Sequence, residues 1–313
     1  MPSVLYHLLI ARDVFRFAET SELYRWLCAE KDAFIAGGWA PDLGVFPGTV
    51  PLITDAAHYI FSGRLGEAMW RNGSNDAERA FAAGWCLHVL ADASLHPLIN
   101  AAVGEAIHGD RERPCSWGDS PAWHQRVEIG LDGYEWVNQC GDESPKSVDP
   151  SIRAIAVRII SVAFNDTYPG CRFSEQEFSD TVLNGYRGIA RLAQFTIVDG
   201  HRLHNRRLPI SLWRAGIYPY GVIQLASAVL GQRFRFFPLG DTRCPSRWLR
   251  HAFSDEIKAL IPRFFEALSS QFAGMRDVNL DTGKESSSSG FDEEYRGSIM
   301  AAKQLRERGW KGG

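Results

Sequence analysis

Apolar positions recur every three or four residues along most of this chain, the spacing of amphipathic helices rather than of strands. Val4 to Arg16 and Ser21 to Ile35 show it, the second with Leu23, Trp26, Leu27 and Ala29. Ile152, Ile155, Ile159 and Ala163 mark a further face, Phe178, Val182, Tyr186 and Ile189 another, and Phe253, Ile257, Ile261, Phe264 and Leu268 a third. Gly37, Gly38, Pro41, Gly44 and Pro51 punctuate a predicted loop, after which Thr54 or Asp55 is expected to cap a short helix carrying His58. Asn72 to Asp76 reads as a turn, and Ser120-Pro121 as the start of a helix running to about Val137. Gln232 to Phe237 alternates polar and aromatic residues and predicts a short strand or hairpin edge. The pattern predicts an all-α, multi-helix domain over residues 1–275. Beyond about Arg276 the run Ser286 to Ser289 and its charged neighbours predict a flexible polar tail over 276–313, with a short helix near 295–308.

One segment departs from amphipathicity. Ala80 to Pro97 is apolar almost all the way round, as a helix buried in a core would be, with Pro97 expected at a kink. Its ionisable groups are His88, Asp92 and His96, four residues apart. Steps of four drift only about 40° each at 3.6 residues per turn, so the three share one ridge. A carboxylate among apolar neighbours needs a partner or a metal. His124 and Glu128 repeat the four-residue step on a second predicted helix, where an exposed ion pair is the competing reading. His7, Asp42 and His58 extend the candidate set; Asp42 also suits an Asx turn, and Asp55 is its rival. Zinc takes imidazole nitrogen and carboxylate oxygen readily. His108, His201, His204 and His251 lack such spacing, and Arg206-Arg207 reads as a solvated loop more than as a phosphate site.

Composition narrows the picture. The 313 residues are 45% hydrophobic and 23% charged, with a net charge of -3. That balance is globular and offers no global attraction to nucleic acid or an anionic membrane. No apolar run approaches the roughly 20 residues of a membrane span. Met1 to Ala11 lacks a basic start and is interrupted by His7, so a structural helix is expected there rather than an export signal. Six cysteines form no Cys-x-x-Cys pair, which fits reduced thiols and a cytoplasmic location.

The order of the candidate ligands resembles the zinc-dependent phospholipase C and S1/P1 nuclease superfamily: an early His7, Asp42 in a loop, His58, His88-x-x-x-Asp92, His96 and His124-x-x-x-Glu128. Ala40-Pro41-Asp42 and Asp92-x-x-x-His96-Pro97 look most like its bacterial phospholipase C-like branch. The resemblance covers roughly residues 1–137 and implies an all-helical bundle with two or three zinc ions in a cleft. It implies one zinc on Asp42, His58, His88 and Asp92, a second on His96, His124 and Glu128, and a third on His7 with Asp92. Secreted members add an N-terminal tryptophan to the third site, where this chain has Met1-Pro2. The activity implied is hydrolysis of a phosphodiester, with a phospholipid head group as one substrate class and Asp42 handling the attacking water. A nuclease or nucleotidase using the same cluster is the alternative, although no basic-aromatic groove stands out to stack bases. A non-enzymatic, metal-stabilised helical interaction domain is the other. No stable nucleic-acid partner is expected.

Overall fold

The structure, a computed structural model, describes residues 4–124, 127–128, 131, 148–193 and 247–312. The predicted strand at 232–237, His201, His204, Arg206 and Arg207 lie outside them. Among the described residues the protein is all-α: there is no strand, and only the isolated bridges Ile60 to Phe291 and Val278 to Glu285. The helices are α1 (Val4–Glu19), α2 (Arg25–Ala29), α3 (Lys31–Trp39), α4 (Pro51–Tyr59), α5 (Ser62–Asn72), α6 (Asp76–His108), α7 (Pro150–Thr167), α8 (Glu175–Ala193), α9 (Arg247–Ser269) and α10 (Arg296–Glu307). Positions 121–124, 127, 128 and 131 are also helical.

Helix α6 is the hub. The Asn75 side chain caps its start by accepting from the Glu78 amide at 3.0 Å, and Gly109, at φ 72°, closes its end. Phe81, Ala82, Trp85 and Val89 face one core, shared with α4, α5, α7 and α8. Ala80, Ala83, Cys86, Leu87, Ala91 and Leu95 face a second core, shared with α1 and α9. A helix between two cores must be apolar on nearly every side, which explains the missing amphipathicity. By length and composition alone α6 would also cross a membrane, but 61% of its apolar window is buried inside the protein. Pro97 does not end it; the helix continues to His108.

Three expectations need correction. The glycines at 37 and 38 do not open a loop: α3 runs through them to Trp39, followed by a 3-10 turn over Ala40–Val45. A Cβ on Gly37 would lie 1.9 Å from the Phe81 carbonyl oxygen, and one on Gly84 would lie 2.0 Å from that of Phe34. Glycine there lets α3 and α6 touch backbone to backbone. Neither Thr54 nor Asp55 caps α4, which begins earlier, at Pro51. Residues 276–312 are not a solvated tail. Leu280, Phe291, Leu305 and Trp310 are buried in the first core beside Ile60 and Phe61, and α10 packs on α4. Widely spaced apolar residues reach the core of the rest of the chain, which the polar composition of the segment conceals.

Candidate metal centre

All eight side chains singled out from the sequence are buried, with His88, Asp92 and His124 fully so. They come from separate elements: His7 from α1, Asp42 from the 3-10 turn, His58 from α4, His88, Asp92 and His96 from α6, and His124 and Glu128 from the segment after Pro121. Their ligand atoms converge in three sets: His7, Asp42 and His88; His58, His88 and Asp92; His96, His124 and Glu128. Within each set the atoms lie within 4.8 Å of one another.

Local packing explains the convergence. The contact at Gly37 and Gly84 brings the Gly38 carbonyl to 2.8 Å from His88 Nδ1. A carbonyl only accepts, so Nδ1 carries the proton and Nε2 faces the cluster. His58 is held the same way, its Nδ1 donating to the Thr54 carbonyl at 2.9 Å. Thr54 in turn braces the Asp42 turn: its hydroxyl donates to the Pro41 carbonyl at 2.6 Å and accepts from the Gly44 amide at 2.7 Å. Such outer partners orient metal-ligating imidazoles.

Asp92 joins the sets. Its Oδ2 lies 3.0 Å from His88 Nε2, 3.6 Å from His58 Nε2 and 4.0 Å from His96 Nε2, while Oδ1 lies 3.3 Å from His7 Nε2. Asp42 Oδ1 is 3.3 Å from His58 Nε2, and His58 Nε2 is 3.5 Å from His88 Nε2. In the other set Glu128 Oε1 lies 3.0 Å from His124 Nε2 and 3.6 Å from His96 Nε2. The His7 and His88 rings stack at 4.1 Å, and the His96 and His124 rings meet edge-on at 5.2 Å.

These groups are close without being satisfied. His7 Nε2, Asp42 Oδ1, both oxygens of Asp92 and both ring nitrogens of His96 and His124 are buried and lack an aligned hydrogen bond among the described residues. Polar atoms so deeply buried are ordinarily paired. Tetrahedral ligands about 2.1 Å from one ion stand about 3.4 Å from each other, close to the spacings within both the His58 and the His124 sets. The donors therefore fit metal ions: they are spaced for cations and not aligned for one another.

In the absence of a cation the cluster's own charges set its titration. Burial pushes the Asp42 carboxyl up, but His88 and the paired His58 outweigh it and hold it at about 2. Burial pushes His58 down, but the carboxylates of Asp42 and Asp92 raise it to about 10. Asp92 is likewise held well below its usual range against burial, by His88 and His96 and by His58 and His7. Burial drives His96 well below the ordinary histidine value and lowers His7. Asp55, the rival to Asp42, belongs to none of the sets.

Other residues near the ligands divide. Trp39 and Phe61 belong to the core, Phe46 is partly buried against it, and Trp123 is 38% exposed. His108 sits outside the cluster, its Nε2 3.3 Å from Cys115 Sγ. The described cysteines 28, 86, 115 and 171 are free thiols.

Fold and site together define an all-helical protein whose central helix carries buried groups able to hold metal ions. No family model, curated protein or solved structure matches this chain.

Proposed function

We propose that this chain is a zinc-dependent hydrolase of phosphodiester bonds, of the phospholipase C-like type within the phospholipase C and P1 nuclease fold. The observation that carries the reading is the junction at Asp92, whose carboxylate stands between the His58–His88 donors and the His96–His124–Glu128 donors. Adjacent cation sites sharing a carboxylate suit a phosphodiester, whose transition state gathers negative charge on several oxygens at once. Zinc bound there would supply Lewis acidity and lower the pKa of a water towards neutrality. The site would take two ions, with a third at His7 and Asp92.

The chain's own residues have separable tasks. His58, His88 and Asp92 hold one position, and His96, His124 and Glu128 the other. Asp42 offers Oδ1, buried and 3.3 Å from His58 Nε2, to the O–H of an attacking water. As a carboxylate there, Asp42 orients the water by accepting its O–H. The surrounding apolar cores keep bulk water away and strengthen each of these interactions.

The depth of burial favours one other reading, a metal-stabilised helical domain without activity, because structural sites are coordinatively closed. Turnover of bis(p-nitrophenyl) phosphate separates the two. Hydrolysis lost on chelation and restored by added zinc is expected. Zinc bound tightly with no turnover of this diester, of phospholipid vesicles or of single-stranded DNA would overturn the hydrolase reading. Turnover of the DNA alone would assign the site to the nuclease branch.

A further inference from the structure

Residues 276–312 carry a buried carboxylate that the zinc cluster does not use. Asp281 is 2% exposed and belongs to none of the three donor sets. It sits on a tight turn built by Asn279, whose side-chain oxygen accepts from the Asp281 and Thr282 amides at 3.0 and 3.2 Å and whose carbonyl accepts from Gly283 at 2.8 Å. Gly283, at φ 69°, passes so close to α6 that a Cβ would lie 2.8 Å from both the Ala93 carbonyl oxygen and the Pro97 ring.

The turn touches α6, which carries ligands of both sets, and α4, which carries His58, and it bonds the strap that leads into the His124 segment. The Leu280 amide donates to the His58 carbonyl at 2.9 Å. Asn100, one further four-residue step along the His88–Asp92–His96 ridge, donates from Nδ2 to the Asp281 carbonyl at 2.6 Å. The Asp281 carboxylate accepts from the Trp117 amide at 3.2 Å and from the Tyr295 hydroxyl, which itself accepts from the Gly118 amide at 3.2 Å. Residues 117 and 118 lead directly into the His124 segment, and the Trp117 ring meets the His124 ring edge-on at 5.6 Å. A buried carboxylate is tolerated only where donors converge on it. Here the donors are the backbone of the strap before His124 and a tyrosine from the C-terminal segment.

We infer that Asp281 is a positioning residue for the His96–His124–Glu128 metal site, clamping residues 117–124 against α6 through Trp117 and Tyr295. The inference rests on the zinc reading above and adds to it a role for the C-terminal segment. A clamp of this kind acts on one metal site; a residue that merely holds the fold acts on both.

Zinc titration of the full chain against a chelator tests it, with His58→Ala and His124→Ala marking the two classes of site. Asp281→Ala is expected to weaken by about 10- to 100-fold only the class missing in His124→Ala. Asp281→Asn, which keeps an acceptor for the Trp117 amide, is expected to recover part of it. Tyr295→Phe removes one hydroxyl from a half-buried ring and is expected to show the same selectivity to a smaller degree, so the test survives if Asp281→Ala does not fold. Equal weakening of both classes, or no change in either variant, overturns the inference while wild-type zinc binding and turnover stand. A wild-type chain binding no zinc overturns the metal reading and this inference with it.

Discussion

Gly84→Ala should damage both the fold and the metal centre, whereas Gly38→Ala should not. On an isolated helix each change would stabilise by about 1 kcal/mol through helix propensity. The surroundings decide otherwise at Gly84. A Cβ there would lie 2.0 Å from the Phe34 carbonyl oxygen, 1.0 Å inside the 3.0 Å limit below which real contacts essentially do not occur. The obstacle is backbone, so α3 must recede from α6 by about that amount. Overpacking of this kind costs about 1–3 kcal/mol. The same shift would stretch the 2.8 Å contact from His88 Nδ1 to the Gly38 carbonyl beyond hydrogen-bonding range. Leaving that buried donor unpaired adds about 1–3 kcal/mol. Set against the propensity gain, the net expectation is a loss of about 1–5 kcal/mol. At Gly38 the nearest atom to a new Cβ is 3.7 Å away, an ordinary contact, so the propensity gain stands. Thermal unfolding followed by circular dichroism would show Gly84→Ala melting several degrees lower and Gly38→Ala unchanged or higher. Chelator competition would show zinc held about 10- to 100-fold more weakly only in Gly84→Ala, the usual effect of losing an outer hydrogen bond. Gly84→Ala matching Gly38→Ala in both assays would refute the argument that backbone contact between α3 and α6 orients His88.

Other consequences can be checked separately. In chelator-treated protein His58 is raised to about 10, so its contribution to stability is complete below its ordinary value near 6.5 and is lost as pH rises through about 10. Asp42 is depressed to about 2; its contribution is present above its ordinary value and lost as pH falls through about 2. The melting temperature of the chelated protein should therefore fall between about pH 6.5 and 10, and His58→Gln should flatten that limb. Zinc binding at neutral pH should also release the His58 proton, so calorimetric enthalpies should differ between buffers of unlike ionisation enthalpy. Thr54→Val strands the Gly44 amide and the Pro41 carbonyl it now satisfies; a loss of about 2–4 kcal/mol in urea unfolding is expected. Truncation after residue 275 removes Leu280, Phe291, Leu305 and Trp310 from the first core. It should abolish cooperative thermal unfolding, whereas a dispensable tail would leave the transition unchanged.

The ridge of His88, Asp92 and His96 was legible in the sequence because ionisable groups at helical spacing inside an apolar run are costly to bury unless they share a partner. His124 and Glu128 were legible by the same spacing. His7, Asp42 and His58 have no local signal that ties them to α6; their residue types made them candidates, and only the ordered resemblance assigned them to particular sites. The glycines at 37 and 38 misled because glycine as a breaker and glycine as a close helix contact look alike until the opposing residue, Gly84, is known. Pro97 reads as a kink inside a continuing helix, and α6 does continue through it to His108. The C-terminal segment was the least legible part of the chain. Its serines bond one another and the backbone, as Ser287 does with Phe291 and Ser289, and its few apolar residues are spaced too widely to form a face. Asp281 gave no sequence signal, since a lone Asp in a turn is ordinarily solvated.

Crystals grown with zinc and measured across the zinc absorption edge test the central claim most directly. The account requires at least two anomalous peaks, one within about 2.0–2.2 Å of His58, His88 and Asp92 and another equally close to His96, His124 and Glu128. An absence of peaks among these side chains, with the imidazoles of 88 and 124 hydrogen-bonded to other partners, would contradict it.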